Sequence, residues 1–257
     1  MQISKLFDLG GQVAVVTGGA GQFGTPIVEA LAEAGALVVI ASRSLEACTV
    51  AAARVVEAGG RAMAATFNQA DETSIKDLRD RVLAEQGRID IVVNNAVSRP
   101  MRHLDDPLDA WRESMDINAT GFFAVSRAFL TPMQAAGRGS LIHIGSIQGV
   151  VAPAFGNYAG TAMTTPPDYH FHKHGLVGLT KYLAAVAGPS GVRVNAISPG
   201  GFEADQPASF RERYAQRTFL GRMARHDDIK GAVVFLASAA SAYVTGQNLV
   251  VDGGYSV

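Results

Sequence analysis

A tyrosine and a lysine in the second half of the chain have a spacing suited to acid–base chemistry. Tyr169 and Lys173 stand in the first turns of a helical pattern that follows Pro166 and Pro167, and residues four apart lie on one face of a helix. A tyrosine with its ordinary pKa of about 10 is a poor base at neutral pH, but a neighbouring cation favours its ionised form. The same spacing is common in amphipathic helices, so the pair indicates a function only together with other residues.

Polar residues also stand at the ends of two apolar, strand-like runs. Asn94, Asn95 and Ala96 end one run, and Ser146 follows the next one after Gly145. Ligands bind at the carboxyl ends of the strands in open α/β sheets. We therefore expect these residues to meet the tyrosine–lysine helix at that edge of a sheet.

A glycine-rich turn follows the first strand-like run directly. Gly19, Gly21 and Gly24 form the pattern G-x-G-x-x-G at the start of the first helical segment. Small residues let the backbone approach a pyrophosphate, and a helix N-terminus supplies unpaired N–H groups and partial positive charge. A turn used only for tight strand–helix packing is the alternative, but the position between a strand and a helix favours dinucleotide binding.

The second strand-like run ends without a carboxylate. The chain there reads Ala41, Ser42, Arg43, Ser44, where an NAD-selective enzyme places Asp or Glu against the ribose 2′-hydroxyl. An arginine and a serine hydroxyl would instead bind a 2′-phosphate. The sequence therefore favours NADP(H) over NAD(H), with Arg43 as a solvated loop residue as the alternative.

Short β-branched runs alternate with Ala- and Leu-rich segments of helical spacing along the whole chain. The spacing predicts strands at 13–17, 37–42, 62–67, 89–94, 141–145, 192–198 and 249–251. It predicts helices at 23–34, 45–58, 73–85, 108–136, 167–187 and 227–237. This alternation is typical of a parallel sheet with helices on both faces. The prediction is an α/β fold, a single-domain doubly wound (Rossmann) sheet of about seven strands over residues 1–257.

The composition indicates a globular protein and argues against several classes. Hydrophobic residues make up 48% and charged residues 18% of the 257 residues, and the formal net charge is −1, which leaves no basic footprint for nucleic acid or a membrane surface. Cys48 is the single cysteine, which favours a packing role and a reducing, cytoplasmic location. We expect neither a membrane span nor a signal peptide, since no apolar run is long enough and residues 1–9 lack an apolar region.

Taken together, these segments resemble the short-chain dehydrogenase/reductase family over essentially the whole chain. The matching residues are Thr17 and Gly18 with the glycine turn, Asn94 to Ala96, Asn118, Ser146, Tyr169 with Lys173, Asn195, Pro199 with Gly200, and Asp252 to Gly254. Each match alone is weak, but their joint order and spacing are specific. The resemblance implies hydride transfer between a nicotinamide cofactor and a carbonyl or alcohol.

The resemblance implies a role for each of four catalytic residues. Tyr169 is expected to act as general acid/base, and Lys173 to favour the tyrosinate and bind the nicotinamide ribose. Ser146 is expected to hold the substrate oxygen. Asn118 is expected to anchor a water-linked proton path through Lys173.

The resemblance also implies cofactor contacts from the glycine turn to the end of the sixth strand. We expect them at Gly18, Gly19, Gly21, Gln22, Phe23, Gly24, Ser42, Arg43, Asn68, Gln69, Asn95, Ala96, Tyr169, Lys173, Pro199 and Gly200. Substrate contacts are expected from Arg99, Gln148, Tyr158 and Phe202. His170, His172 and His174 suggest a metal site, but we expect none, because His170 and His174, which could share a helix face, have no acidic third ligand beside them.

The sequence departs from the family pattern at the cofactor turn. Gln22 stands where single-domain members have a glycine, so the turn resembles that of extended members, which are often epimerases and dehydratases. Val97 replaces the glycine that usually follows the Asn-Asn-Ala triplet. A sugar-nucleotide epimerase or dehydratase with retained NAD therefore stays open as an alternative.

The second departure is the 23-residue step from Ser146 to Tyr169, which exceeds the usual separation in the family. Tyr158 stands nearer that usual distance, but Ala162 rather than lysine follows it four positions on. We therefore assign catalysis to Tyr169 and predict an insertion at 154–165 that covers the substrate mouth.

The loops above the predicted carboxyl edge are polar and partly basic. Arg99, Arg102 and His103 follow the fourth strand, and residues 202–206 follow the sixth. This chemistry favours a hydroxylated or carboxylated small molecule, sugar-like or a keto acid, although loop charges can also be merely solvated. We expect 205–218 to form a mobile helical lid.

The resemblance also implies a homo-oligomer, either a tetramer or a dimer, because members of the family commonly form such assemblies. A non-catalytic NADP-sensing module remains the other functional alternative. The complete set of Asn118, Ser146, Tyr169 and Lys173 favours an enzyme.

Overall fold

Seven parallel strands form one sheet in the order β3-β2-β1-β4-β5-β6-β7. The computed structural model describes residues 2–257. The strands are β1 (Val13–Thr17), β2 (Leu37–Ser42), β3 (Arg61–Thr66), β4 (Ile91–Asn94), β5 (Gly139–Ile144), β6 (Val192–Pro199) and β7 (Asn248–Val251). The strand order reverses between β1 and β4, which is the position at which doubly wound sheets bind ligands.

Helices cover both faces of this sheet. They are α1 (Ile3–Leu6), α2 (Gly24–Glu33), α3 (Leu45–Glu57), α4 (Glu72–Gln86), α5 (Leu108–Met115), α6 (Phe122–Ala135), α7 (Pro167–Ala187), α8 (Ala208–Arg217) and α9 (Lys230–Ala237). Side chains of α2, α3 and α9 join one core cluster, and those of α4, α6 and α7 join another on the opposite face. The predicted Rossmann-type fold is confirmed.

The continuous apolar runs follow from burial on both faces. In β1, Ala14 and Val16 pack into the first cluster, whereas Val13 and Val15 pack into the second. Successive side chains of a strand point to opposite faces of the sheet. When helices cover both faces, every side chain of the strand is buried, and the strand is therefore apolar throughout.

The predicted long helix at 108–136 is wrong in one respect, because it is interrupted. Helix α5 ends at Met115, residues Asp116–Gly121 form a π-helical segment, and α6 follows. Gly121 lies so close to the backbone of Gln69 that a Cβ at this position would come within 2.3 Å of the Gln69 carbonyl oxygen. This widened turn contains Asn118, and π-helical turns are frequent at functional sites.

The other differences are at element ends. The predicted helix at 227–237 begins as a 3₁₀ turn over His226–Ile229 before α9, and α1 was not predicted. The insertion at 154–165 contains one short 3₁₀ turn, Phe155–Tyr158. In the part of the chain from residue 2 onward, no helix is both long and apolar enough to cross a membrane.

Candidate active site

The tyrosine–lysine pair lies at the start of α7. Pro167 occupies its first turn, where the missing proline N–H costs no hydrogen bond. Lys173 is 5% exposed and donates from Nζ to the carbonyl oxygen of Ile144 at 2.7 Å. The same Nζ lies 5.6 Å from the centroid of the Tyr169 ring. Helix α7 and the end of β5 therefore fix the lysine beside the tyrosine.

Cationic neighbours make the Tyr169 phenol more acidic than a free tyrosine. Burial alone raises its pKa, but the charges of Lys173 and Arg99 and the interaction with the Ser146 hydroxyl outweigh burial, so the pKa lies below its ordinary value. The guanidinium carbon of Arg99 is 4.6 Å from the ring centroid. The pKa of Lys173 is also lowered, by burial first and by Arg99, although Tyr169 opposes this shift. The phenol is thereby suited to exchanging a proton.

Ser146 reaches Tyr169 because its turn packs tightly against α7. It begins the 3₁₀ turn Ile147–Gly149, and its hydroxyl accepts a hydrogen bond from the Gln148 N–H at 3.1 Å. A Cβ on Gly149 would lie 2.4 Å from the Lys173 carbonyl oxygen. The glycine thus permits a close approach that brings serine, tyrosine and lysine to one edge of the sheet.

Asn118 lies in the π-helical segment and is fixed by three hydrogen bonds. Its Nδ2 donates to the Ser98 carbonyl oxygen at 2.9 Å and to the Ser114 hydroxyl at 3.0 Å. Its Oδ1 accepts from the Ser98 N–H at 2.9 Å. The asparagine therefore holds the loop after β4 against the helix that contains it.

A cleft of about 560 Å³ runs along the carboxyl edge from the glycine turn to the loop after β4. The predicted site residues that line it are Gly18, Gly21, Gln22, Phe23, Gly24, Ser42, Arg43, Asn68, Gln69, Asn95, Ala96 and Arg99. A larger groove of about 770 Å³ between α2 and α3 contains only Gly19 of the predicted cofactor residues. The smaller cleft is therefore the candidate cofactor site.

The glycine turn fits a pyrophosphate. Gly18 has a φ of +64°, which favours glycine, and a Cβ on Gly24 would lie 2.2 Å from the Gly18 carbonyl oxygen. No side chain caps α2 within residues 2–257, so its first N–H groups can bind an anion.

Asn95 ties this turn to the end of β4. Its Nδ2 donates to the carbonyl oxygens of Thr17 and Gly18 at 3.0 and 3.1 Å. The Thr17 hydroxyl accepts from the N–H groups of Asn95 and Ala96 at 3.0 and 3.1 Å. These hydrogen bonds connect the end of β1 to the end of β4, between which the strand order of the sheet reverses.

The far end of the cleft has the chemistry of an anion site. Arg43 is exposed and lines the cleft. The Ser42 hydroxyl donates to the Ser44 carbonyl oxygen at 3.1 Å and lies 3.0 Å from Cys48 Sγ. Over residues 2–257, neither aspartate nor glutamate lines this cleft.

Comparisons with known proteins agree with this geometry. A family model described as enoyl-(acyl carrier protein) reductase matches residues 19–256. The chain is 38% identical to cis-4-hydroxycyclohexanecarboxylate dehydrogenase of Sinomonas cyclohexanicum over 95% of this chain and 96% of that protein. It is 36% identical to D-threitol dehydrogenase of Mycolicibacterium smegmatis, over 98% and 95%. The chain belongs to the short-chain dehydrogenase/reductase family.

A solved structure shows the same fold. The gluconate 5-dehydrogenase of Burkholderia cenocepacia J2315, crystallised with NADP and tartrate, has a TM-score of 0.90 and 34% identity, and 99% of each chain is covered. As a short-chain dehydrogenase/reductase, the protein is an NAD(P)-dependent oxidoreductase that acts on CH–OH and C=O groups.

In this short-chain dehydrogenase/reductase, the insertion at 154–165 packs under the helix of the predicted lid. Tyr158 stacks against Phe210 of α8 with ring centroids 5.2 Å apart. Arg213 of α8 donates to the carbonyl oxygens of Asn157 and Ala159 at 3.2 and 2.5 Å. Asn157 Nδ2 donates to the Tyr255 hydroxyl at 2.8 Å. The insertion, helix α8 and the C-terminal residues therefore form one layer above the carboxyl ends of the strands.

The four predicted substrate residues lie in three places. Gln148 Nε2 donates to the Tyr158 hydroxyl at 3.5 Å, and burial raises the pKa of Tyr158. Arg99 lies against Tyr169, as described above. Phe202 instead packs against Phe23 of the glycine turn, with ring centroids 5.1 Å apart, which places it beside the cofactor cleft.

Five predicted cofactor residues lie outside the lining of the cleft. Tyr169 and Lys173 lie at the start of α7, and the other three, Gly19, Pro199 and Gly200, serve the packing around the cleft. A Cβ on Gly19 would lie 3.0 Å from Ile40 and 3.1 Å from the Val16 carbonyl oxygen. Pro199 ends β6, and the N–H of Gly200 donates to the Val251 carbonyl oxygen at 2.9 Å.

The histidines of α7 do not form a metal cluster. His174 Nδ1 lies 2.9 Å from the His170 carbonyl oxygen, and their rings are 6.5 Å apart. His172 is 6% exposed, and burial, followed by the charges of Lys173 and Arg99, lowers its pKa to about 3. Among residues 2–257, no group of three His, Cys, Asp or Glu side chains is arranged to hold a metal ion.

Sequence reasoning missed Asp168 and Ser114. Asp168 is 1% exposed, and its Oδ2 accepts a 2.5 Å hydrogen bond from the Ser114 hydroxyl. The available signal was its i, i+4 relation to His172, which puts a carboxyl group on the buried side of the helix that contains Tyr169 and Lys173.

Proposed function

We propose that the protein is an NADP(H)-dependent oxidoreductase that moves a hydride between nicotinamide and a carbonyl or alcohol of a small polar substrate, sugar-like or a keto acid. The observation that carries this proposal is the position of Tyr169, whose ring lies 4.6 Å from the Arg99 guanidinium carbon and 5.6 Å from Lys173 Nζ, beside Ser146. The two positive charges lower the pKa of its phenol. Bound NADP(H) would supply or accept the hydride in the adjoining cleft.

The residues divide the proton chemistry among them. Tyr169 donates its proton to the carbonyl oxygen during reduction and accepts the alcohol proton during oxidation. Ser146 hydrogen-bonds the same substrate oxygen and orients it. Lys173 stabilises the tyrosinate, and Asn118 anchors the path by which a proton reaches the lysine.

The preference for NADP(H) rests on the end of β2. A 2′-phosphate carries negative charge and several acceptor oxygens, which Arg43 and the Ser42 hydroxyl can bind. A cleft lined without Asp or Glu within residues 2–257 presents no repulsion to that phosphate. The related gluconate 5-dehydrogenase structure contains NADP, which supports the same choice.

The substrate class is supported by the site and by the relatives. Arg99 lies against Tyr169, and its charge also acts on Tyr158, which accepts a hydrogen bond from Gln148. The relatives named above act on a hydroxylated cyclohexanecarboxylate, a four-carbon polyol and gluconate. These molecules are small and polar, as the loops of this chain require.

We further propose that the enzyme is a cytoplasmic homo-oligomer, either a tetramer or a dimer. Phe123 of α6 and Tyr182 and Val186 of α7 are exposed apolar side chains that a second copy would cover. The single cysteine, Cys48, is buried and unpaired, which suits a reducing compartment. Size-exclusion chromatography with light scattering tests the assembly, and a monomer would contradict it.

The first experiment is a fluorescence titration of the purified protein with NADPH and with NADH. NADPH oxidation is then followed with ketoses, keto acids and diketones. Preferential NADPH binding with turnover of a polar carbonyl is expected. Equal or tighter NADH binding would overturn the cofactor assignment, and NAD retained through purification with isomerase activity would favour the epimerase alternative. Tight NADPH binding without turnover of any carbonyl would favour a sensing module.

A further inference from the structure

Arg99 is placed to do more than tune the acidity of Tyr169. Its guanidinium carbon lies 4.6 Å from the ring centroid of Tyr169, and the residue lines the cleft and is exposed at its mouth. Within residues 2–257, Arg99 forms no ion pair, and the cleft has no acidic lining residue. A guanidinium has five N–H donors in a planar fork that matches a carboxylate.

The backbone that holds Arg99 is fixed from within the protein. The preceding residue, Ser98, exchanges two hydrogen bonds with the Asn118 amide. Asn118 donates to Ser114, and Ser114 donates to Asp168, the residue before Tyr169. A continuous hydrogen-bonded chain therefore joins the backbone beside Arg99 to the backbone beside Tyr169. Such support holds a binding group at a set position relative to the reacting centre.

The other basic groups near Tyr169, Lys173 and His172, are either already hydrogen-bonded within the protein or uncharged. Lys173 is buried and donates to Ile144, and its expected role is toward the tyrosine and the cofactor. His172 lies edge-on to Tyr169 at 5.2 Å and is neutral, because burial and the adjacent charges lower its pKa to about 3. Arg99 contacts Tyr169 but forms no ion pair within residues 2–257, so its guanidinium can still pair with a single negative charge at this part of the site.

We infer that Arg99 binds a carboxylate of the substrate, so that the substrate of the proposed oxidoreductase is an oxo acid, or the corresponding hydroxy acid. This inference rests on the proposed function and narrows its substrate class. The carboxylate forms a bidentate pair with the Arg99 guanidinium, while the reacting oxygen lies at Ser146 and Tyr169. Sugars and polyols without a carboxylate lack this interaction.

The test compares matched acids and amides. The probes are 4-oxopentanoate and 4-oxocyclohexanecarboxylate, each with its neutral amide, and the readouts are kcat/KM with NADPH and thermal stabilisation of the NADPH complex by cyclohexanecarboxylate or its amide. The variants are Arg99→Gln and Arg99→Lys. Arg112→Gln is the control, since Arg112 on α5 is 70% exposed and pairs with Asp109.

We expect the unmodified enzyme to prefer at least one acid over its amide by about 10- to 100-fold, the range for a charge-assisted bidentate pair. Arg99→Gln is expected to abolish this preference through a higher KM for the acid, with Arg99→Lys intermediate and Arg112→Gln unchanged. A pure effect on Tyr169 would instead lower kcat for acid and amide alike.

The failures of the two proposals are distinguishable. Turnover of amides and acids with equal kcat/KM, or an acid preference that survives in Arg99→Gln, would overturn the carboxylate inference and leave the oxidoreductase intact. Absence of turnover with every carbonyl would overturn the proposed function, and thermal stabilisation by cyclohexanecarboxylate would still decide whether Arg99 binds a carboxylate. Equal Arg99-dependent stabilisation by inorganic phosphate would overturn the assignment of a carboxylate as the anion.

Discussion

The Ser114 hydroxyl donates a 2.5 Å hydrogen bond to the buried carboxylate of Asp168, the residue immediately before Tyr169. Ser114 belongs to α5, accepts from Asn118, and stands 54 positions away in the chain from Asp168. The bond therefore joins two helices at the point where α7 presents its tyrosine. The position of α7, which contains the proposed general acid/base, depends on a polar contact that does not involve Tyr169 itself.

Ser114→Ala is expected to lower the free energy of unfolding by about 1–3 kcal/mol, because a buried carboxylate would lose its donor. Urea denaturation, followed by fluorescence of the single tryptophan Trp111, measures the change. Thr131→Ala is the matched control, since that hydroxyl is exposed and bonds only the Arg127 carbonyl oxygen of its own helix. Equal stability of Ser114→Ala and the unmodified protein would show that Asp168 does not depend on this donor.

Tyr169→Phe is expected to reduce kcat by about 10²- to 10⁴-fold, the range for loss of a general acid/base. Tyr158→Phe loses only a long hydrogen bond of 3.5 Å to Gln148, so its loss of activity is expected to stay within about tenfold. Steady-state kinetics of both variants, with NADPH binding as a control for folding, compares them. The reverse ranking would mean that Tyr158 is the catalytic tyrosine and that the insertion is misassigned.

The features that could be predicted from the sequence are those that depend on local spacing. The glycine turn, the Tyr169–Lys173 pair and the apolar strands are read from residues within a few positions of one another, and the seven-stranded sheet has bounds close to those predicted. The Asp168–Ser114 bond and the Phe23–Phe202 contact join distant segments, so no periodicity reveals them. The π-helical segment at Asn118 was missed because its side-chain pattern resembles that of the flanking α-helices.

Arg43→Ala is expected to weaken NADPH binding by about 10- to 100-fold, since the 2′-phosphate would lose a charge-assisted contact. NADH binding is expected to change little, because its ribose carries no phosphate for Arg43. Fluorescence titrations with both cofactors measure the ratio. Arg81→Ala is the control, as Arg81 lies on α4 and pairs with Glu85. An equal loss of affinity for both cofactors would mean that Arg43 supports the structure of the cleft and does not bind the 2′-phosphate.

Arg213→Ala is expected to loosen the insertion at 154–165, because Arg213 donates to the carbonyl oxygens of Asn157 and Ala159. Hydrogen exchange of that segment should rise, and KM for the substrate should increase by about 3- to 30-fold for the loss of hydrogen bonds from a charged donor. NADPH affinity is expected to stay unchanged. Glu212→Ala, at the neighbouring exposed position of α8, serves as control. Unchanged exchange would show that packing of Tyr158 against Phe210 is enough to hold the insertion.

The pH dependence of turnover follows from the lowered pKa of Tyr169. Alcohol oxidation needs the tyrosinate, so kcat/KM for oxidation should fall as pH drops through this pKa, whereas carbonyl reduction needs the phenol and should fall as pH rises through it. The charges of Lys173 and Arg99 lower that pKa against the opposing effect of burial. Removal of one positive charge in Arg99→Gln must therefore raise the pKa of Tyr169. The pH at which kcat/KM falls should then move to higher values for both oxidation and reduction.

Profiles of kcat/KM against pH in both directions measure this shift, with a neutral substrate so that carboxylate binding plays no part. Arg112→Gln removes an equal charge from α5, where Arg112 is exposed and pairs with Asp109, and should leave both pH profiles in place. Arg99→Lys keeps a cation at the site and should move them less than Arg99→Gln. A shift to lower pH in Arg99→Gln would contradict the electrostatic account, because loss of a positive charge beside Tyr169 can only disfavour the tyrosinate.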